Sequence, residues 1–305
     1  MLDLRGELAA LVAAFFWALA TVMFGRLGKQ LAPLMLNLVK GVLAVSLIGV
    51  TVGAQTFYQP QVPWQLSSGL DQTSVLLLLG SGGIGIGLGD TAYFTALNYL
   101  GARRVLLLEA LAPAMAALMA LGVLQEYLVL RDWLGIVLTL LGVSWVIAER
   151  VPSPAGELHH PWLGVIYGCL AAGGQALGAV MSRAALADTT VDPLGSTLLR
   201  LVGGLSIMGV LLLRRGQWRQ QLRPLVSARL LGLLVAAAFL GTYLALWLQQ
   251  AALKYAPTGI AQALLSTSPL FILPIVGLMG ERISLRAMLG VLVALAGVWL
   301  LVGLG

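Results

Sequence analysis

Glu126-Tyr-Leu-Val-Leu-Arg-Asp-Trp-Leu-Gly135 and Glu281-Arg-Ile-Ser-Leu-Arg-Ala-Met-Leu-Gly290 align without a gap. Glu126/Glu281, Leu130/Leu285, Arg131/Arg286, Leu134/Leu289 and Gly135/Gly290 coincide, and the match runs on to Gly142-Val143 against Gly297-Val298. Upstream, Ala96-Leu-Asn-Tyr99 matches Ala252-Leu-Lys-Tyr255, and Pro113 matches Pro269, with a small slippage between the two blocks. A weaker echo joins Leu36-Asn-Leu-Val-Lys-Gly41 to Leu199-Arg-Leu-Val-Gly-Gly204. Leucine-rich helices resemble one another by chance, but ordered matches of Glu, Arg, Gly and Pro do not arise that way. Self-similarity at a fixed spacing marks a duplicated unit. The chain reads as two copies.

Composition says where those copies sit. Of 305 residues, 59% are hydrophobic and 10% charged, against about 25% charged in a soluble domain, and the mean hydropathy is +0.95. A soluble enzyme and a disordered chain are both excluded. Apolar runs broken by Gly, Pro or charge predict spans at 8–25, 33–53, 75–98, 104–124, 132–148, 163–183, 194–213, 229–250, 257–280 and 286–303. Helices are required, because backbone groups in lipid must be satisfied within the segment and runs this long are not barrel strands. The expected fold is an all-α integral membrane protein of ten transmembrane helices. Residues 8–148 form the first five-helix repeat, 149–161 a Pro-rich linker and 162–303 the second repeat. Five is odd, so the second repeat crosses the membrane in the opposite sense. Inverted repeats are typical of secondary transporters, with the site between the halves near the midplane. Arg5 and Ala18-Leu19-Ala20 give the first run a leader-like look. Asp3, Glu7 and its part in the repeat argue for a retained span.

With these residues on the page, a family resemblance follows. Gly89-Asp-Thr-Ala-Tyr-Phe-Thr-Ala-Leu97, Leu107-Leu-Glu-Ala-Leu-Ala-Pro113 and Gly280-Glu-Arg-Ile-Ser-Leu-Arg286 resemble the EamA-type repeats of the drug/metabolite transporter superfamily. The resemblance covers nearly the whole chain. It implies ten helices around a central cavity, lined mainly by helices 1, 3, 4, 6, 8 and 9. The implied cargo is a small metabolite such as an amino acid, sugar derivative or drug, often moved outward. Gln125-Glu126 stands where the family usually has Gly-Glu, a departure confined to a loop.

Four charged residues lie well inside the expected spans: Lys40, Asp90, Glu109 and Arg200. An ionisable group at membrane depth faces a cavity or a partner. At 1.5 Å per residue, Lys40 lies about 10 Å, Glu109 about 8 Å and Asp90 about 12 Å from span ends on one side of the membrane. Lys40 can therefore pair with Asp90 or Glu109, while Asp90 and Glu109 become candidates for contact with substrate or a coupling proton. The competing expectation is that Lys40 and Glu109 snorkel to the headgroups and nearby backbone caps Asp90. The second repeat has Leu246 and Leu265 at the positions of Asp90 and Glu109, so any charge chemistry belongs to one half. Arg200, entering from the opposite side, can fork onto a carboxylate or phosphate, or snorkel.

Gly80, Gly82 and Gly85 spell Gly-x-Gly-x-x-Gly, but a dinucleotide fingerprint needs a soluble βαβ setting. Gly83/Gly87 and Gly85/Gly89 instead allow close helix approach and mark span 3 for bending during gating. Trp17, Thr21, Tyr93, Gln175, Tyr243, Trp247, Gln262 and Ser266 complete the candidate substrate site, and Pro113 and Pro269 predict kinks in spans 4 and 9. His159-His160 in the linker reads as solvated loop, and the single cysteine, Cys169, makes no cluster. No cofactor or metal is expected, and no ATP-binding motif appears.

The net charge of +6 does not point to nucleic acid, because the basic residues sit in short loops. Loops after odd-numbered spans hold twelve Lys and Arg, the termini and other loops four. The positive-inside rule would put both termini outside, whereas the resemblance puts them inside. Orientation, oligomeric state, substrate and coupling ion stay open at this point. The leading expectation is a plasma- or inner-membrane exporter of amino acids or related amphipathic compounds, working by alternating access. Alternatives are a lipid-linked substrate flippase using Arg103 and Arg104, or less favourably an intramembrane enzyme, for which nucleophiles and ligands at depth are lacking.

Overall fold

An apolar segment without water satisfies its backbone only by coiling on itself, and every described element is a helix. The computed structural model describes residues 4–28, 30–58, 69–100, 105, 108–148, 161–215, 227–271 and 285–302. In chain order these form α1 (Arg5–Leu27), α2 (Pro33–Tyr58), α3 (Gln72–Gly82), α4 (Asp90–Leu100), α5 (Ala112–Val123), α6 (Leu130–Ala148) and α7 (Pro161–Leu186). They continue as α8 (Pro193–Arg215), α9 (Ala228–Ala238), α10 (Ala245–Tyr255), α11 (Thr258–Leu265) and α12 (Leu285–Val302). A π-helical turn, π1 (Gly83–Gly89), joins α3 to α4, and another, π2 (Phe239–Leu244), joins α9 to α10. Asp71 caps α3, accepting the Ser74 N–H at 2.9 Å. Among the described residues seven helices are long and apolar enough to cross a membrane, with Ala112–Val123 and Met288–Val302 as shorter apolar helices.

Spans 4 and 9, where kinks are expected, are interrupted in the same way: the helical ladder breaks at 110–111 and at 266–267. Pro113 lies in the first turn of α5, and Pro269 in the short helical stretch 268–271 that follows α11. Proline lacks an N–H and its ring clashes with the preceding turn, so it is accommodated at a helix start rather than inside one.

Glycine brings the backbones together. A Cβ on Gly135 would stand 3.1 Å from Gly297 O, and one on Gly290 3.1 Å from Gly142 O. Rising numbers on α6 thus meet falling numbers on α12, so these two helices run antiparallel. Gly174 and Gly178 of α7 likewise abut Gly89 and Gly85, while Gly164 meets Leu100. Gly6 of α1 abuts Ala256, and Ala20 and Phe24 abut Gly241. Both of those pairings are antiparallel as well. Between them packs a core of small side chains, including Ala9, Ala10, Ala13, Ala252 and Ala261, as expected where van der Waals contact drives association. The outer faces of α6 and α12 expose Leu134, Leu141, Trp145, Leu292 and Trp299. A water-facing surface would not carry so continuous an apolar face.

Candidate functional site

Each π-turn inserts one residue into a helix, and the change of ladder is visible at its exit. Asp90 N–H donates to Gly85 O and Ala245 N–H to Leu240 O, each five residues back. Such an insertion loosens the carbonyls around it, and here a side chain from another helix serves one in each copy. Asn37 Nδ2 donates to Ile86 O at 3.0 Å. Trp17 Nε1 donates to Gly241 O at 2.8 Å. Single π-turns recur at functional sites because they re-aim the next turn of side chains. The first residue after π1 is Asp90.

Asp90 Oδ2 receives the Lys40 ammonium of α2 at 2.9 Å, and the two side chains remain 12% and 19% exposed. The same ammonium lies 5.7 Å from the Phe24 ring centroid and 5.5 Å from that of Phe94. Lys40 therefore does not snorkel, and Asp90 is held by a cation rather than by backbone. Glu109 and Tyr93 are within electrostatic reach of each other and of Asp90. Glu109 Oε1 is buried without a hydrogen-bond partner among the described residues.

Arg200 of α8 is 2% exposed, which removes the snorkelling expectation for it too. Its Nη1 donates to Gln249 Oε1 at 3.1 Å and to Gln250 Oε1 at 2.7 Å, and Gln250 Nε2 passes the chain on to Ser196 Oγ at 3.1 Å. No carboxylate touches this guanidinium among the described residues, although Asp90 is within electrostatic reach. The space that a side chain on Gly85 would fill is bordered by Arg200 Nη2 at 3.4 Å and Gln175 Oε1 at 3.7 Å. Glycine at that place lets two polar groups from the second half converge on π1.

The remaining candidates divide by what their polar ends do. Tyr243 is buried, its hydroxyl 2.7 Å from Thr51 Oγ1, and its ring stacks on Phe239 and tilts against Trp247. Thr21 and Ser266 return their hydroxyls to their own backbones, at Trp17 O and Ala263 O. Gln262 is 7% exposed and its Nε2 has no partner among the described residues. Gly83 and Gly87 face Ile207 and the Gly203–Gly204 backbone of α8. Arg103, Arg104, His159, His160 and the linker lie outside the described residues.

Sequence reading passed over several of these groups. Asn37, Gln249, Gln250 and Ser196 are all buried amides or hydroxyls within spans, and a search for uncharged polar residues at depth would have found them. It also passed over a polar seam at one end of the molecule. Arg183 Nε donates to Glu126 Oε1 at 2.6 Å, and Arg183 Nη1 to Leu253 O and Lys254 O at 3.0 and 2.7 Å. Glu126 Oε2 accepts the Thr258 N–H at 2.8 Å. The guanidinium thus sits at the negative end of α10 and the carboxylate at the positive end of α11, each complementing a helix dipole. Glu126 was visible as a repeat position; its partner across the halves was not.

Comparison with known proteins fits this arrangement. No curated protein matches the chain. Among solved structures 25 chains match. A crystal structure of a protein 14% identical superposes at TM-score 0.71, covering 96% of this chain and 94% of that one. At such low identity the likeness shows the fold alone. The profile of the EamA-like transporter family matches residues 4–148 and again 162–303. Two matches that together span nearly all of the sequence, on an all-helical apolar fold, make this an integral membrane protein that belongs to the EamA-like transporter family.

Proposed function

We propose that the protein is a secondary carrier that moves a small amphipathic metabolite across the plasma or inner membrane by alternating access. Its frame is ten transmembrane helices in two inverted five-helix repeats, 8–148 and 162–303, joined by the linker 149–161. The observation that carries this reading is the exchange of repeat-equivalent glycines between α6 and α12. Gly135 meets Gly297 while Gly142 meets Gly290, which is what a two-fold axis in the membrane plane produces between inverted copies. The pairings of α7 with π1 and of α1 with π2 obey the same exchange. π1 with Gly83 and Gly87, and the breaks before Pro113 and Pro269, are the places where each copy flexes.

Substrate meets the seam between the halves through Trp17, Thr21, Asp90, Tyr93, Glu109, Gln175, Tyr243, Trp247, Gln262 and Ser266. Glu109, with a buried oxygen that has no partner among the described residues, exchanges the coupling proton. The cargo is an amino acid or a related amphipathic compound, moved outward. Purified protein in liposomes, offered labelled amino acids and amphipathic amines, tests the reading. Saturable flux of at least one compound, accelerated by the same compound unlabelled on the far side, is expected. Flux indistinguishable from empty liposomes across the panel overturns it.

A further inference from the structure

A carboxylate flanked by two aromatic faces is the chemistry that recognises an organic ammonium. Asp90 with Phe24 and Phe94 is such a set, and what it holds is an ammonium belonging to the protein, Lys40 Nζ, at 2.9 Å from the carboxylate and 5.7 and 5.5 Å from the two rings. The pair is not sealed in the core: these side chains keep 12% and 19% of their exposure. Apart from the two ring faces, Asp90 is the hydrogen-bond acceptor found for Lys40 among the described residues. Its four-carbon stem is flexible, so the ammonium can leave without disturbing the helix that bears it.

The set also stands where the backbone is unusual. Asp90 is the first residue after π1, Phe94 lies one turn further along α4, and Phe24 comes from α1, the helix whose Ala20 and Phe24 contact Gly241 in π2. A ligand bound there would touch elements joined to both π-turns. Taking these observations together, we propose that Asp90, Phe24 and Phe94 form a receptor for the ammonium group of an amine substrate, which Lys40 occupies as a tethered stand-in while the carrier is empty. This rests on the carrier reading and names its substrate class, a small amine with an apolar body. The tether keeps Asp90 neutralised between cargoes, and cargo binds by displacing it.

Competition by a tethered group lowers apparent affinity by the fraction of time it occupies the site. The experiment is calorimetric binding of 2-phenylethylamine, with 3-phenylpropionate as the anionic control of matched shape, to the full chain in lipid nanodiscs at pH 8. Lys40→Met is expected to bind the amine about 10-fold or more tighter than wild type. Lys40→Gln, tested alongside in case the first variant folds poorly, is expected to do the same. Asp90→Asn in either background should abolish amine binding. Phe94→Leu should weaken it about 2- to 5-fold, with 3-phenylpropionate unaffected by that variant. Equal or weaker amine binding by both folded Lys40 variants, or binding that survives Asp90→Asn, overturns the proposal. Binding is read without flux, so a failure of amine binding is told apart from a failure of transport in liposomes.

Discussion

The two π-turns are the same backbone device with different chemistry built around them. Asp90 and Leu246 are repeat-equivalent, which sets Gly83–Gly89 upon 239–245 and Gly85 upon Gly241. In the first copy Gly83, Gly85, Gly87 and Gly89 lie against the backbones of α7 and α8, and the turn opens directly onto a charged pair. In the second, Phe239 and Tyr243 stack on one another, Tyr243 is tied to Thr51, and the turn opens onto Leu246. Both keep a carbonyl bonded by a side chain from another helix. The difference teaches that the extra residue belongs to the duplicated fold, whereas the charged pair that follows it belongs to one copy.

The sharpest way to break that comparison is to remove the charge where it exists and to disturb its counterpart where it does not. Asp90→Asn leaves the Lys40 ammonium at membrane depth without its anion, a loss of several kcal/mol for a fully buried pair and less here because both groups are partly exposed. Transport in liposomes should fall by about 100-fold, the equivalent of about 2.7 kcal/mol. Leu246→Met, a volume-conserving change at the equivalent place, should leave transport within about 2-fold. Comparable losses from the two variants would mean that the position matters through packing and that the copies do not differ in kind.

A smaller effect tests whether the π-turns are held in the same way. Asn37→Leu removes the side-chain bond to Ile86 O in a fully buried setting, and Trp17→Phe removes the one to Gly241 O in a partly buried one. An orphaned buried group costs about 1–3 kcal/mol. The first variant should lie toward the upper part of that range and the second toward the lower, read as shifts in thermal unfolding midpoint in detergent. No loss from either would mean that those bonds are incidental to the turns.

How much of this could be read in advance depended on how rare a residue is in its surroundings. Glu, Arg, Gly and Pro stand out against leucine, so the duplication was legible, and counting residues from span ends put Lys40 and Asp90 at one depth. Which helices are neighbours was not legible. Arg200 looked like a fork for a carboxylate or a snorkelling side chain, and only the packing of α8 against α10 reveals Gln249 and Gln250 as its acceptors. The π-turns left almost no trace, since GIGIGLG and FLGTYL share only one glycine in register. A change from i−4 to i−5 bonding is set by what presses on the helix from outside. Trp17 and Tyr243 were legible as polar aromatics at depth, but their polar ends are bound to Gly241 and Thr51, so what they can offer a substrate is their ring faces.

The finest test asks whether glycine in π1 serves packing or motion. A Cβ on Gly82 would run into the Arg200 backbone, so that position is close-packed and uninformative about flexing. Gly83 differs: a Cβ there would meet Ile207 Cγ1 at 3.4 Å, an ordinary contact. Alanine also lowers the entropy of the unfolded chain, so Gly83→Ala should leave the unfolding midpoint unchanged or raise stability by about 0.4–1 kcal/mol. If π1 bends in each cycle, the same variant restricts the backbone dihedrals that must change. Turnover should then drop by a few fold while substrate affinity stays put, separable by measuring flux at saturating and at low substrate. An unchanged turnover would assign this glycine to the contact with α8 alone. Motion would then have to be sought at the breaks before Pro113 and Pro269, where the backbone ladder is already interrupted in both copies.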